Sequence, residues 1–143
     1  MSRWVGIIVH HSATSDTDGV EREAFDRYHR SLGWQAVGYH WIVERIDGDY
    51  QAIHGRPATM QGSHCPGKNQ DHLGVCFAGN FHAGEMRSEQ LIVGAELISS
   101  LCVMNDANPS NISRHSDYRD TACPGDLFPF DELVRMVRSM VGE

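Results

Sequence analysis

The run from Trp4 to His10, WVGIIVH, is apolar on both faces that an extended chain presents. A strand with one wet face would alternate with polar residues. This one has to lie inside a sheet with both faces covered. That requirement selects an α/β architecture, in which neighbouring strands and packed helices bury a central strand. The strand runs straight into His10, His11 and Ser12, so titratable side chains stand at its carboxyl end.

The rest of the chain supplies the partners. Asp18 with Glu21 has the form of a capping box, and Phe25, Tyr28 and Leu32 recur at helical spacing until Gly33. Gly38 to Arg45 alternates, with Tyr39, Trp41 and Val43 on one face and His40, Ile42 and Glu44 on the other. Asp47-Gly48 is a hairpin turn signal, and Tyr50 to His54 returns as the partner strand. Residues 55 to 71 read as loop and Leu73 to Ala78 as a short strand. Ser88 is placed as the cap of a long helix whose Leu91, Ala95, Ile98 and Cys102 line one face. Asn105 to Pro109 breaks that helix, and Ile112 to His115 is a late strand. Pro129 opens a last helix with Leu133, Val137 and Val141 inward. The predicted class is α/β, a central mixed β-sheet flanked by helices.

The 143 residues suit one domain, 1–143, large enough to bury about 70% of the unfolded surface. Twelve basic against 19 acidic residues leave a net charge of −7, which gives no basic field for nucleic acid. Lys68 is the one lysine, so the other cations are arginines. No stretch approaches 18 apolar residues, so no membrane span is expected. The start, MSRWVGIIVHHSAT, lacks the long apolar run and cleavage site of a signal peptide, which points to synthesis in the cytoplasm. In that setting the four cysteines, 65, 76, 102 and 123, are read as free thiols or metal ligands. Cys76 and Cys102 read as small buried hydrophobes. Cys65, in a mobile-looking loop, reads as a reactive thiol.

Nine histidines raise the prior for a metal or acid–base site. His10 and His115 each close a strand, and Cys123 follows His115 by eight residues. Two imidazoles and a thiolate are the right number and type of donors for a catalytic zinc ion, which keeps a fourth position open. Their spacing alone carries no recognised signature, and buried core histidines with an inert cysteine remain the plainer reading. The H-x-E and P-C-x-x-C pattern of the zinc nucleobase deaminases is absent.

Four segments occur together and in order: IIVHHSAT, GWQAVGYHWIVERIDGDYQAIHGRP, GSHCPGKNQDHLGVCFAGNF and RHSDYRDTACPG. Spanning roughly Ile7 to Gly125, they resemble the zinc-dependent N-acetylmuramoyl-L-alanine amidases of the phage-lysozyme and peptidoglycan-recognition-protein group. The resemblance implies a zinc groove on one side of a mixed sheet. It implies one Zn2+ per chain on His10, His115 and Cys123, and hydrolysis by zinc-activated water of the amide joining the lactyl group of N-acetylmuramic acid to L-alanine. By the same resemblance Tyr39 stands beside the metal as a catalytic donor. Thr121, two residues before Cys123, occupies a position where some phage members carry Lys; it is a candidate catalytic hydroxyl or a turn residue. His64, Arg56 and His11 are candidate substrate contacts. Their plainer roles are a solvated loop histidine, an internal ion pair, and a structural support on the face opposite His10. Asn80 is expected to order the turn after its strand.

The implied protein is an endolysin, made in the cytoplasm and acting on the cell wall after release, with peptidoglycan or muropeptides as partners and a monomeric state. A non-catalytic muropeptide receptor and a cytoplasmic cell-wall recycling amidase are the alternatives. The receptors typically lose the ligand cysteine, and the recycling branch usually carries Asp at position 123. A regulatory protein partner stays open.

Overall fold

The computed structural model describes residues 4–14 and 38–143. The helix predicted across Asp18 to Gly33 lies outside the described residues. Five strands form one sheet: β1 (Gly6–His11), β2 (Trp41–Ile46), β3 (Asp49–His54), β4 (His72–Phe77) and β5 (Ile112–Arg114). Their order is β3-β2-β4-β1-β5. β1 pairs in parallel with β4 on one side and β5 on the other, and β2 pairs in parallel with β4. β3 is antiparallel to β2, so the sheet is mixed. All six residues of β1 are buried, as its two-faced apolar pattern requires. The hairpin turns at Asp47 and Gly48, both with positive φ (52° and 87°), the backbone of the turn that Asp-Gly favours.

Register decides what each face does. Ile7, Val9, Val43, Leu73, Val75, Phe77 and Ile112 share one face and form the main core with two helices, α1 (Ser88–Met104) and α2 (Phe130–Met140). The opposite face carries His10, Ile42 and Cys76 at one level of the register. Leu91, Ala95, Ile98 and Cys102 are buried as predicted, and Gly94, Leu97 and Leu101 join them because α1 packs on both the sheet and α2. Leu133 and Val137 are the buried pair of α2.

Ser88 does not cap α1. Arg87 is the cap residue, with extended backbone (φ −73°, ψ 145°) and no side-chain bond, and Ser88 is the first helical residue. The helix start is set from inside the core. The buried Gln90 amide donates from Nε2 to the carbonyls of Val43 (3.1 Å) and Ala78 (2.9 Å), tying the first turn to the middle of β2 and to the residue that follows β4. Pro129 likewise stands one residue before α2, as its cap.

Gly94 marks a close approach of α1 to the sheet. A Cβ there would lie 2.2 Å from the Phe77 ring, itself buried and edge-on to Phe128. Gly94→Ala should therefore destabilise the protein by about 1–3 kcal/mol through overpacking, although alanine is favoured over glycine in a helix by about 1 kcal/mol. At Gly84 an added Cβ meets nothing within 4 Å, so Gly84→Ala serves as the neutral control. Denaturant unfolding of both variants tests the packing; a Gly94→Ala protein as stable as wild type would refute it.

Candidate metal centre

The sheet order explains how distant residues meet. β1 and β5 are parallel neighbours, so their carboxyl ends lie side by side. His10 stands near the end of β1. His115 opens a single 3-10 turn (His115–Asp117) directly after β5. Asp117 holds that turn by accepting from the Arg114 backbone N–H (2.8 Å) and from its guanidinium (2.9 Å). The following loop folds back so that Ser116 N–H donates to Cys123 O (3.0 Å) and His11 N–H donates to Cys123 Sγ (3.3 Å). Cys123 Sγ then lies 3.8 Å from His10 Nδ1, across 113 positions of sequence. Leading into Pro124, the Cys123 peptide is cis.

One donor atom each from His10, His115 and Cys123 lies within 4.8 Å of the others. Bonds of about 2.0–2.3 Å to a tetrahedral ion would place neighbouring donors roughly 3.3–3.6 Å apart. The three stand slightly wider than an ion would draw them, and the chemistry of the set, two imidazoles and a thiol, fits zinc. Burial, followed by the neighbouring His64, His115 and His11, holds the His10 imidazole well below its ordinary pKa, so it is neutral and able to bind metal. His115 is lowered by burial and then by the Arg119 guanidinium. Burial pushes the Cys123 thiol up to about 11, against the His11 N–H, so losing its proton requires a strong competing cation.

Tyr39 joins this group. Its ring centroid is 5.1 Å from that of His10, and it packs on Ile42 and Cys76. It therefore lies on the His10 side, not on the Trp41 and Val43 side that alternation from Gly38 predicts. The reason is that β2 begins only at Trp41, and the bent residues before it do not keep the two-residue period. Burial, then the Cys76 and Cys123 thiols, raise the Tyr39 phenol well above its ordinary value and keep it a proton donor.

The other predicted residues separate. Thr121 Oγ1 accepts the Cys123 N–H at 3.2 Å, which makes it a turn residue beside the ligand loop while leaving its hydroxyl proton available. His11 faces the helical core, buried, with Nδ1 accepting the Phe81 N–H at 3.1 Å; it does not face the groove. Arg56 is buried and donates from Nη1 to Gln61 O at 2.9 Å, within its own loop. Instead of a solvated loop residue, His64 is a buried ring bonded to His10 Nε2 at 2.9 Å and to the His72 carbonyl at 3.0 Å. Cys65 is likewise no reactive loop thiol: it is fully buried and its pKa is raised by that burial. No disulfide joins the four cysteines, and Asn80 accepts the His82 N–H in the expected turn. Missed by sequence reasoning were Asn69, whose Oδ1 accepts the N–H groups of His64 (2.9 Å) and Cys65 (2.8 Å), and the buried Glu44 on the His10 side of β2. The GKN segment held the signal for Asn69, since asparagine orders backbone two or more residues away in turns.

Residues 1–126 match the family described as N-acetylmuramoyl-L-alanine amidase. The chain belongs to that family. Among relatives, it is 31% identical to the endolysin of Enterobacteria phage T3 and 34% identical to that of Klebsiella phage KP32, in each case over 93% of this chain and 89% of the phage protein. The solved N-acetylmuramoyl-L-alanine amidase LysC from Clostridium intestinale URNW superposes with a TM-score of 0.82 at 27% identity, covering 96% of this chain and 87% of that one. The amidase thus acts on peptidoglycan, hydrolysing the amide between the N-acetylmuramoyl group and L-alanine. No helix among its described residues is long and apolar enough to cross a membrane.

The buried imidazoles make the metal-free amidase acid-sensitive. Burial holds His64 at about 3 in the folded state, against about 6.5 unfolded. A depressed folded value gives stability that is full above pH 6.5 and is lost as pH falls from there towards 3. The thermal midpoint of chelated protein should therefore drop between pH 8 and pH 5; equal midpoints would contradict the neutral cluster.

Proposed function

We propose that this amidase is a zinc enzyme of the endolysin type, holding one ion per chain on His10, His115 and Cys123. The observation that carries the reading is the convergence of those three donor atoms at the joined carboxyl ends of β1 and β5. When bound there, zinc would polarise the scissile carbonyl and make water nucleophilic at neutral pH.

The chain's own groups complete the site. The Tyr39 phenol would donate a hydrogen bond to the oxyanion that develops on the lactyl carbonyl, a role supported by its contact with the His10 ring and by the burial that keeps it protonated. Thr121 fixes the loop that presents Cys123 and can lend its hydroxyl proton to the same oxygen. His11 and Arg56 serve the scaffold, through the Phe81 and Gln61 backbone. The leaving alanine amine takes up the proton that the attacking water gives up, relayed through the Tyr39 phenol and solvent so that the phenol ends protonated as it began. The intact donor set with Tyr39 favours an enzyme over a muropeptide receptor, and Cys123 favours the lytic branch over recycling. Alignment to phage endolysins along 93% of the chain supports the same choice. In this reading residues 1–143 form one domain, made in the cytoplasm, acting as a monomer and reaching the cell wall after release.

Purified protein should hold about one zinc and release L-alanine amino termini from peptidoglycan until chelated. New reducing ends in place of amines would refute the reaction. Cys123→Ser should lose both zinc and activity; full retention of both would refute the ligand set. Thr121→Val should keep the metal but turn over more slowly, by roughly tenfold if one oxyanion hydrogen bond of about 1.4 kcal/mol is lost. Unchanged turnover would leave Thr121 a turn residue alone.

A further inference from the structure

His64 is a loop histidine with the burial of a core residue, 7% exposed, in a slot shaped for its ring. Gly62 and Gly74 form the walls: a Cβ on either would lie 2.6 Å from a carbon of the His64 imidazole. Asn69 pins the backbone at its base by accepting two N–H groups, and Ser63 N–H donates to Gly38 O at 2.9 Å. So held, the ring makes two hydrogen bonds, and their order is forced. The His72 carbonyl can only accept, so His64 Nε2 carries the proton at that 3.0 Å contact. A neutral His64 then has a bare Nδ1, which can only accept. His10 Nε2, 2.9 Å away, must be the donor. A neutral His10 protonated on Nε2 leaves its Nδ1 lone pair free, on the side of Cys123.

We infer that His64 is a positioning residue for His10: it passes the polarity of the His72 carbonyl to His10 Nε2, locks the ring and its tautomer, and presents Nδ1 to the metal. This rests on the reading of His10 as a ligand. A buried acceptor behind a metal-bound imidazole typically changes metal affinity by about 10–100-fold. The slot glycines belong to the same device, because a side chain at either position would displace the ring.

Tautomers are read directly from nitrogen-15 spectra of the histidine-labelled wild-type protein, metal-free and zinc-loaded. Expected are Nε2–H forms of both His10 and His64 without metal, and a metal shift at His10 Nδ1 with it. A His10 protonated on Nδ1, or bound through Nε2, would overturn the inference. His64→Phe keeps a ring but no acceptor and should weaken zinc binding in a chelator competition by about 10–100-fold. His64→Asn, with an oxygen near the Nδ1 position, should recover most of that loss. Wild-type affinity in His64→Phe, or no recovery in a folded His64→Asn, would also overturn it. Should His64→Phe fail to fold, the wild-type spectra still decide. Absence of zinc uptake by wild-type protein would instead refute the metal reading, while the metal-free spectra would still report whether the relay exists.

Discussion

The parallel pairing of β1 with both β4 and β5 is the constraint on which the rest of the amidase depends. It buries six consecutive residues, and their alternation sends Ile7, Val9 and His11 to the helices and His10 to the other side. Because parallel strands end together, it also brings the last residues of β1 beside His115 and the Cys123 loop. The core and the site are thus two faces of one pairing, and a slip of one residue would exchange His10 with His11.

Around the candidate metal donors, buried imidazoles are bonded to one another and to the backbone. His10 bonds His64, His64 bonds a carbonyl, and His40 accepts the Gly74 N–H at 3.0 Å while its other nitrogen meets the Met60 carbonyl. Removed from water, the His10 and His64 imidazoles are neutral, the form in which a ring nitrogen can accept a hydrogen bond or a metal. The same burial that would make an unpaired group costly makes a paired network specific in geometry. The thiol is the exception, since burial favours its protonated form. Within this candidate donor set it is the member whose proton a bound cation would have to displace.

Much of the fold was legible in the chain. The two-faced apolar run, the Asp-Gly turn and the helical spacing of Leu91, Ala95 and Ile98 each report a local period, and each stands within two or three residues of its predicted place. Failures arose where tertiary contacts override local pattern. Ser88 lost the cap because Gln90 anchors the helix from within the core. Tyr39 changed sides because the chain bends before β2. Cys65 and His64 looked like loop residues because glycine-rich, polar sequence says nothing of whether a loop folds inward.

By itself the sequence determined a central buried strand, a mixed sheet, and, through four ordered segments, the amidase family and His10, His115 and Cys123 as the candidate metal donors. Those features are written in residue type, spacing and order. The tertiary structure alone decided that His64 stands behind His10, that His11 belongs to the core, and that Thr121 holds the Cys123 turn. Each of these is a hydrogen bond between groups far apart in the chain or aimed by a bend of the backbone. Such bonds have no period for a sequence to carry.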